Sequence, residues 1–210
     1  MSEDLTQGTA EWHVARLGKV TASRIADVCA KIKNGEWGAS RKNYAAQLIC
    51  ERLTGTPTSS YVSSEMQWGT DHEAEAKSSY EFLTDTTIVN VGFIEHPTMA
   101  MTGASPDGYI GDDGGIELKC PNSATHIETL LGGSTPGKYV LQCQWQMACN
   151  PEQRWVDYCS YDPRLPPSMR LFVQRIKRDN AKISELESIV GTFLAEIKVT
   201  VAELTQRFAA

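Results

Sequence analysis

No apolar run in this 210-residue chain reaches the roughly 18 residues that cross a bilayer, and no signal-peptide pattern is present. A soluble, cytoplasmic protein without a membrane partner is therefore expected. The six cysteines (Cys29, Cys50, Cys120, Cys143, Cys149, Cys159) form no C-x-x-C pair and no zinc or iron–sulfur spacing, which predicts reduced thiols. The four histidines, His13, His72, His96 and His126, are scattered, and no two have zinc spacing. A Gly-rich P-loop, a G-x-S-x-G elbow and a Ser/His/Asp or Cys/His set are all missing. Internal repeats and low-complexity linkers are missing too, so residues 1–210 are expected to form one domain. Its core should span about 11–177, with a C-terminal helix over about 180–208.

The net charge of −6 conceals a division along the chain. Residues 11–60 hold eight Lys/Arg against four Asp/Glu; residues 61–117 hold one against eleven; residues 118–210 hold eleven against nine. Bound cations would offset part of the acidic block, and the basic N-terminal block could face phosphate, since local charge governs such contacts. A solvated surface produces the same clustering.

Spacing of apolar residues and breakers predicts short helices over Glu11–Leu17 and Ser23–Lys31, the second capped by Thr21 or Ser23. A loop over 33–40 precedes a helix from Arg41 to Leu53, ended by Gly55 and Pro57. A polar loop, Ser59–Ser64, caps a long helix over about 65–83. Strands follow at about 88–95, 99–103, 108–111 and 116–120, the last two joined by an Asp112-Asp113-Gly114-Gly115 turn. Helices at about 123–131 and 138–149 precede strands at about 154–161 and 169–177. In the last helix Ile183, Leu186, Val190, Phe193, Ile197, Val201, Leu204 and Phe208 form one apolar stripe. The fold class is α/β, a central mixed sheet flanked by helices.

Four constellations could carry chemistry. Ser105-Pro106-Asp107-Gly108 is followed by Ile116-Glu117-Leu118-Lys119, which reads D-x9-E-x-K. With a strand period of two, Glu117 and Lys119 share one sheet face and Ile116 and Leu118 the other. A carboxylate and an ammonium side by side suit a divalent metal and a charged catalytic group. In the 65–83 helix, Met66, Gly69, Glu73, Ala76, Tyr80 and Leu83 share a face, which places Glu73 in a buried stripe. A buried carboxylate needs a metal, a base, or an Arg or Tyr partner. Gln144 falls on the apolar side of its helix with Val140, Leu141, Met147 and Ala148, where its amide could meet a phosphate or a buried backbone group. Finally, Trp12-His13-x-x-Arg16 precedes Thr21-Ala22-Ser23, a charged fork and a hydroxyl at a helix start, the elements of a phosphate site.

Together with Trp68-Gly69-x-x-x-Glu73, Glu117-Leu118-Lys119-Cys120-Pro121, Gln142-x-Gln144 and Tyr161-Asp162-Pro163-Arg164, these motifs stand in a recognisable order. From about residue 11 to 164 the chain resembles the phage lambda-type exonucleases, the YqaJ-like viral recombinases of the PD-(D/E)xK superfamily. The resemblance implies a restriction-endonuclease-like core and a Mg²⁺-dependent 5′→3′ exonuclease, with Mn²⁺ as a substitute ion. Such an enzyme digests one strand of double-stranded DNA to 5′-mononucleotides and leaves 3′ tails for annealing. It further implies a ring-shaped homotrimer, a phage single-strand annealing protein as partner, and a phage or prophage gene acting in a bacterial host. Asp107 and Glu117 would hold Mg²⁺ with the Leu118 carbonyl, and Glu73 would contribute directly or through water, at what is expected to be a two-ion site. Lys119 would orient or deprotonate the attacking water. Arg16, Ser23, Ser105 and Gln144 match the family's pocket for the 5′-phosphate of the DNA end, and Trp12, His13 and Gln142 join that DNA-binding set.

Two other readings remain. A structure-specific or restriction-type endonuclease shares the D…E-x-K core and would nick a covalently closed circle. A non-catalytic DNA-binding recombination partner would keep the fold without turnover, against which Asp107, Glu117 and Lys119 are all intact. A Cas4-like nuclease needs four cysteines around the core, and they are absent.

Overall fold

The computed structural model describes residues 7–58 and 64–209. Its helices are α1 (Ala10–Arg16), α2 (Ile25–Val28), α3 (Ala39–Thr54), α4 (Ser64–Thr84), α5 (Ser123–Gly132), α6 (Gly137–Cys149) and α7 (Asn180–Arg207). The strands are β1 (Val20–Thr21), β2 (Ile88–Val89), β3 (Ile94–Glu95), β4 (Thr102–Ala104), β5 (Gly108–Ile110), β6 (Gly114–Lys119), β7 (Trp155–Tyr161) and β8 (Leu171–Lys177). A five-stranded sheet has the order β2-β5-β6-β7-β8, and a three-stranded sheet the order β1-β4-β3. Among the described residues β6–β7 and β1–β4 pair parallel and the other pairs antiparallel, so both sheets are mixed.

The pleat of β6 sorts its side chains as its alternation dictates. Ile116 and Leu118 pack with Ala76 and Tyr80 of α4, and with Cys159 and Tyr161 of β7. On the opposite side lies the larger core, where Trp145 and Met147 of α6 meet Val20, Ile25, Tyr44, Leu48, Val156 and the inner face of α7. Helix α6 is therefore buried almost all round, from Gln142 to Cys149. The α7 stripe is buried from Ile183 to Ile197; Val201 and Leu204 are partly covered and Phe208 is exposed. Side-chain caps start α5 (Asn122 to the Thr125 amide, 2.9 Å) and α7 (Asp179 to the Lys182 amide, 3.0 Å).

Four expectations are corrected. The helix expected over Ser23–Lys31 is a 3₁₀ turn (Ala22–Arg24) followed by the single α-turn of α2. It stops because the next backbone groups pair elsewhere: Ile32 donates to the Glu36 carbonyl and Lys31 bridges to Trp37. Neither Thr21 nor Ser23 caps it through a side chain, and their hydroxyls lie 3.3 Å apart. The expected strand 88–95 is broken at 90–93, where the chain leaves one sheet for the other. Gly114 and Gly115 belong to β6 rather than to a turn. Of the expected Ser59–Ser64 loop, residues 59–63 lie outside the described residues, and Ser64 opens α4.

Candidate active site

Glu117 occupies the α6-facing side of β6 and is 1% exposed. Two amides from successive turns of α6 reach it: Gln142 donates to Oε1 at 2.6 Å and Gln146 to Oε2 at 2.5 Å. The Lys119 ammonium, on the same strand face, closes an ion pair with Oε1. Burial pushes the Glu117 carboxyl up to about 7; Lys119 opposes the shift and Asp107 adds to it. Burial disfavours the Lys119 charge as well, but Glu117 and Asp107 outweigh it and hold the ammonium protonated.

Asp107 enters where the two sheets part. Residues 105–107 connect β4 in one sheet to β5 in the other, and residues 90–93 make the same switch alongside. At this gap the Asp107 carboxylate accepts the Leu118 amide at 2.6 Å, which ties it to β6 beside Glu117. The next residue, Gly108, lets β5 pack closely on β2: a Cβ there would lie 2.2 Å from an Ile88 methyl carbon. The gap opens into a cavity of about 430 Å³ lined by Gln7, Glu73, Lys77, Asn90, Val91, Gly92 and Asp107. Glu73 thus reaches the site but not as a buried group. It is half-exposed, with the Lys77 ammonium at 3.6 Å, while Leu83 on the expected stripe is 65% exposed. The side chain of Met66 lies outside the described residues. Partial burial, then Asp107, raises the Glu73 carboxyl above its ordinary range. The buried carboxylate that pairs with Tyr and Arg is Asp157, bonded by Tyr80 (2.7 Å) and Arg175 (2.8 and 2.9 Å).

A second cavity, of about 330 Å³, is walled by Trp12, His13, Arg16, Lys19, Thr21, Ser23 and Arg24 among others. Arg16 stacks on Trp12, 4.0 Å from the ring centroid. Both donate to the Ser105 hydroxyl, Arg16 at 2.9 Å and Trp12 at 3.0 Å. Gly18 makes the turn that presents this helix end: its φ of +66° is left-handed, and a Cβ would press on Arg52. Its amide donates to Glu51 and its carbonyl accepts from Arg52, each at 2.9 Å. Ser23 is exposed at the wall, and His13 lies edge-on to Trp12.

Gln144 is not brought to either cavity. It is 3% exposed and spends its amide on the Lys177 carbonyl (2.8 Å) and the Asp179 amide (3.0 Å), joining β8 to α7. Gln142 serves the Glu117 carboxylate. The residue missed from sequence is Gln146, although Gln142 and Gln146, four apart on a helix, necessarily share a face.

Asp107, Glu117 and Glu73 supply carboxylate oxygens only, a donor set suited to a hard divalent ion such as Mg²⁺. Among the described residues no three His, Cys, Asp or Glu side chains gather as a ligand group, so backbone carbonyl and water would complete the shell, as Mg²⁺ favours. Burial pushes the neighbouring Cys120 thiol up to about 12 and Cys143 well above the thiol range.

The YqaJ-like viral recombinase domain matches residues 11–153. An alkaline exonuclease, LHK-Exo, from Laribacter hongkongensis is similar at 49% identity and a TM-score of 0.89, covering 96% of this chain and 98% of that one. Its structure in complex with dAMP gives 50% identity and a TM-score of 0.90, with the same coverage. A phage related exonuclease from Haemophilus somnus 129PT, at 16% identity, shares the fold with a TM-score of 0.69 over 89% of this chain and 96% of that one. Among the described residues no helix is long and apolar enough to cross a membrane. Curated proteins provide no match. The matched profile covers well over half of the sequence, and the chain belongs to the YqaJ-like viral recombinase family, with the α/β fold of PD-(D/E)xK-type exonucleases.

Proposed function

We propose that this nuclease digests one strand of duplex DNA from a 5′-phosphorylated end, releasing mononucleotides and leaving a 3′ single-stranded tail. One observation carries the reading. The segment Ser105-Pro106-Asp107 joins the two places: Arg16 of the cationic cavity donates to Ser105, and Asp107 accepts the Leu118 amide between Glu117 and Lys119. Two residues of extended chain span at most about 7 Å, on the order of one nucleotide step. A terminal phosphate held at the first place would bring the first phosphodiester to the second. An endonuclease has no use for such an anchor. The dAMP bound by the Laribacter relative belongs to the product class expected here.

Asp107 and Glu117 would hold Mg²⁺, with the Leu118 carbonyl and Glu73 assisting; bound there, the ion supplies Lewis-acid stabilisation of charge on phosphate oxygens. Lys119, on the strand face shared with Glu117, would orient or deprotonate the attacking water and offset developing charge. Gln142 and Gln146 fix the Glu117 carboxylate in place. Removing such a supporting amide typically costs about 10- to 100-fold in metal affinity or activity. Gln146→Leu is accordingly expected to move the Mg²⁺ midpoint of digestion up by about tenfold or more. A midpoint equal to wild type would remove the role.

The anchor is tested by Arg16→Ala. A 5′-phosphate monoester carries more charge than an internal diester, so wild type should digest phosphorylated duplex faster than 5′-hydroxyl duplex. A charge-assisted contact is worth about 1.5–3 kcal/mol, so the variant should lose about tenfold or more of that preference, chiefly by slowing on the phosphorylated substrate. A variant keeping the full preference would place the end-binding pocket elsewhere.

A further inference from the structure

The cavity beside Asp107 contains a cation that the chemistry above does not use. Lys77 stands one turn beyond Glu73 on α4, with its side chain 22% exposed. Asn90, in the segment where the chain changes sheets, accepts from its ammonium at 2.9 Å, while Glu73 lies 3.6 Å away. An ammonium has three N–H donors, so at least one is left to point into the cavity. Among the described residues lining that space, Lys77 is the only cation; the others are the carboxylates Glu73 and Asp107, the amides Gln7 and Asn90, and Val91 and Gly92. Asp107 lines this cavity, and Arg16 of the other cavity bonds Ser105, two residues before it.

A strand anchored by its terminal phosphate at Arg16 and cut beside Asp107 must continue past the cut, and its next phosphate needs a counter-charge in a wall whose other charged groups are carboxylates. We propose that Lys77, held by Asn90, grips a backbone phosphate of the digested strand on the far side of the scissile bond. This rests on the strand-digesting reading for its occupant. A strand held at two phosphates, one on each side of the reacting bond, cannot slip by a nucleotide, so Lys77 would fix the register of each cut.

The competing role for Lys77 is that of a local counter-ion for Glu73, and the two differ in what they predict. Lys77→Gln keeps the stem and an amide donor for Asn90, and Lys77→Ala removes both. Duplex binding is measured by fluorescence anisotropy without divalent cation, across about 50–200 mM salt. A lost phosphate contact lowers the slope of log K against log[salt] by about 0.7–0.9 in both variants. The KM for 5′-phosphorylated duplex should rise about tenfold with kcat within about twofold, and Lys77→Arg should restore both. A wild-type slope in both variants overturns the proposal, most plainly if the Mg²⁺ midpoint shifts instead, as a Glu73 counter-ion requires. The binding slope also separates the two readings: wild type that binds but does not digest linear duplex would refute the exonuclease, whereas the slope still decides Lys77.

Discussion

Lys119→Ala is expected to cut turnover by about 10²–10³-fold while leaving duplex binding within a few-fold of wild type. The lysine sits on the strand face shared with Glu117, and two carboxylates keep it protonated despite burial. In the proposed reaction it would be a preformed positive charge at the reacting centre, valued most when charge builds on phosphorus, so its loss should appear in kcat. One complication is structural: without Lys119 the buried Glu117 loses its ion partner. Lys119→Met, which fills the same space, separates the effects, since both variants should lose turnover while only the alanine leaves a void. Single-turnover digestion measured beside thermal melting reads both. A melted-out Lys119→Ala with an active Lys119→Met would make the lysine structural.

Asp107→Asn should cost more, about 10³-fold or beyond, because a metal's stabilisation of the transition state is worth several kcal/mol and this side chain is a direct ligand in the account. Asparagine keeps the shape, and its carbonyl oxygen can still accept the Leu118 amide that Asp107 now takes at 2.6 Å. The β5–β6 connection should therefore hold, and only the charge goes. Calorimetric titration is expected to show Mg²⁺ affinity reduced beyond measurement alongside the lost activity. Unchanged affinity would show that the ion binds without Asp107.

Strand β6 was legible because it obeys a local rule. A period of two put Ile116 and Leu118 on one face and Glu117 and Lys119 on the other; the structure keeps that division and packs the first pair against α4. The α7 stripe was legible for the same reason as far as Ile197, after which the domain no longer covers it. What failed was decided between distant segments. The break at 90–93 comes from two sheets diverging, and nothing in the local propensity of residues 88–95 records it. That divergence also leaves Glu73 half-exposed on the rim of a cavity rather than inside a core. Gln144 and Gln146 are both buried amides on one helix, and only the neighbours across the fold separate them: Lys177 and Asp179 for one, Glu117 for the other.

The central claim is that cutting starts at the 5′ end and depends on a metal at Asp107 and Glu117. Linear duplex labelled at either the 5′ or the 3′ end, and a covalently closed circle, are each incubated with wild-type protein in Mg²⁺ and in chelator. The account predicts early release of the 5′ label as mononucleotide, late release of the 3′ label, an intact circle, and no reaction in chelator. Nicking of the circle, or early release of the 3′ label, would contradict it.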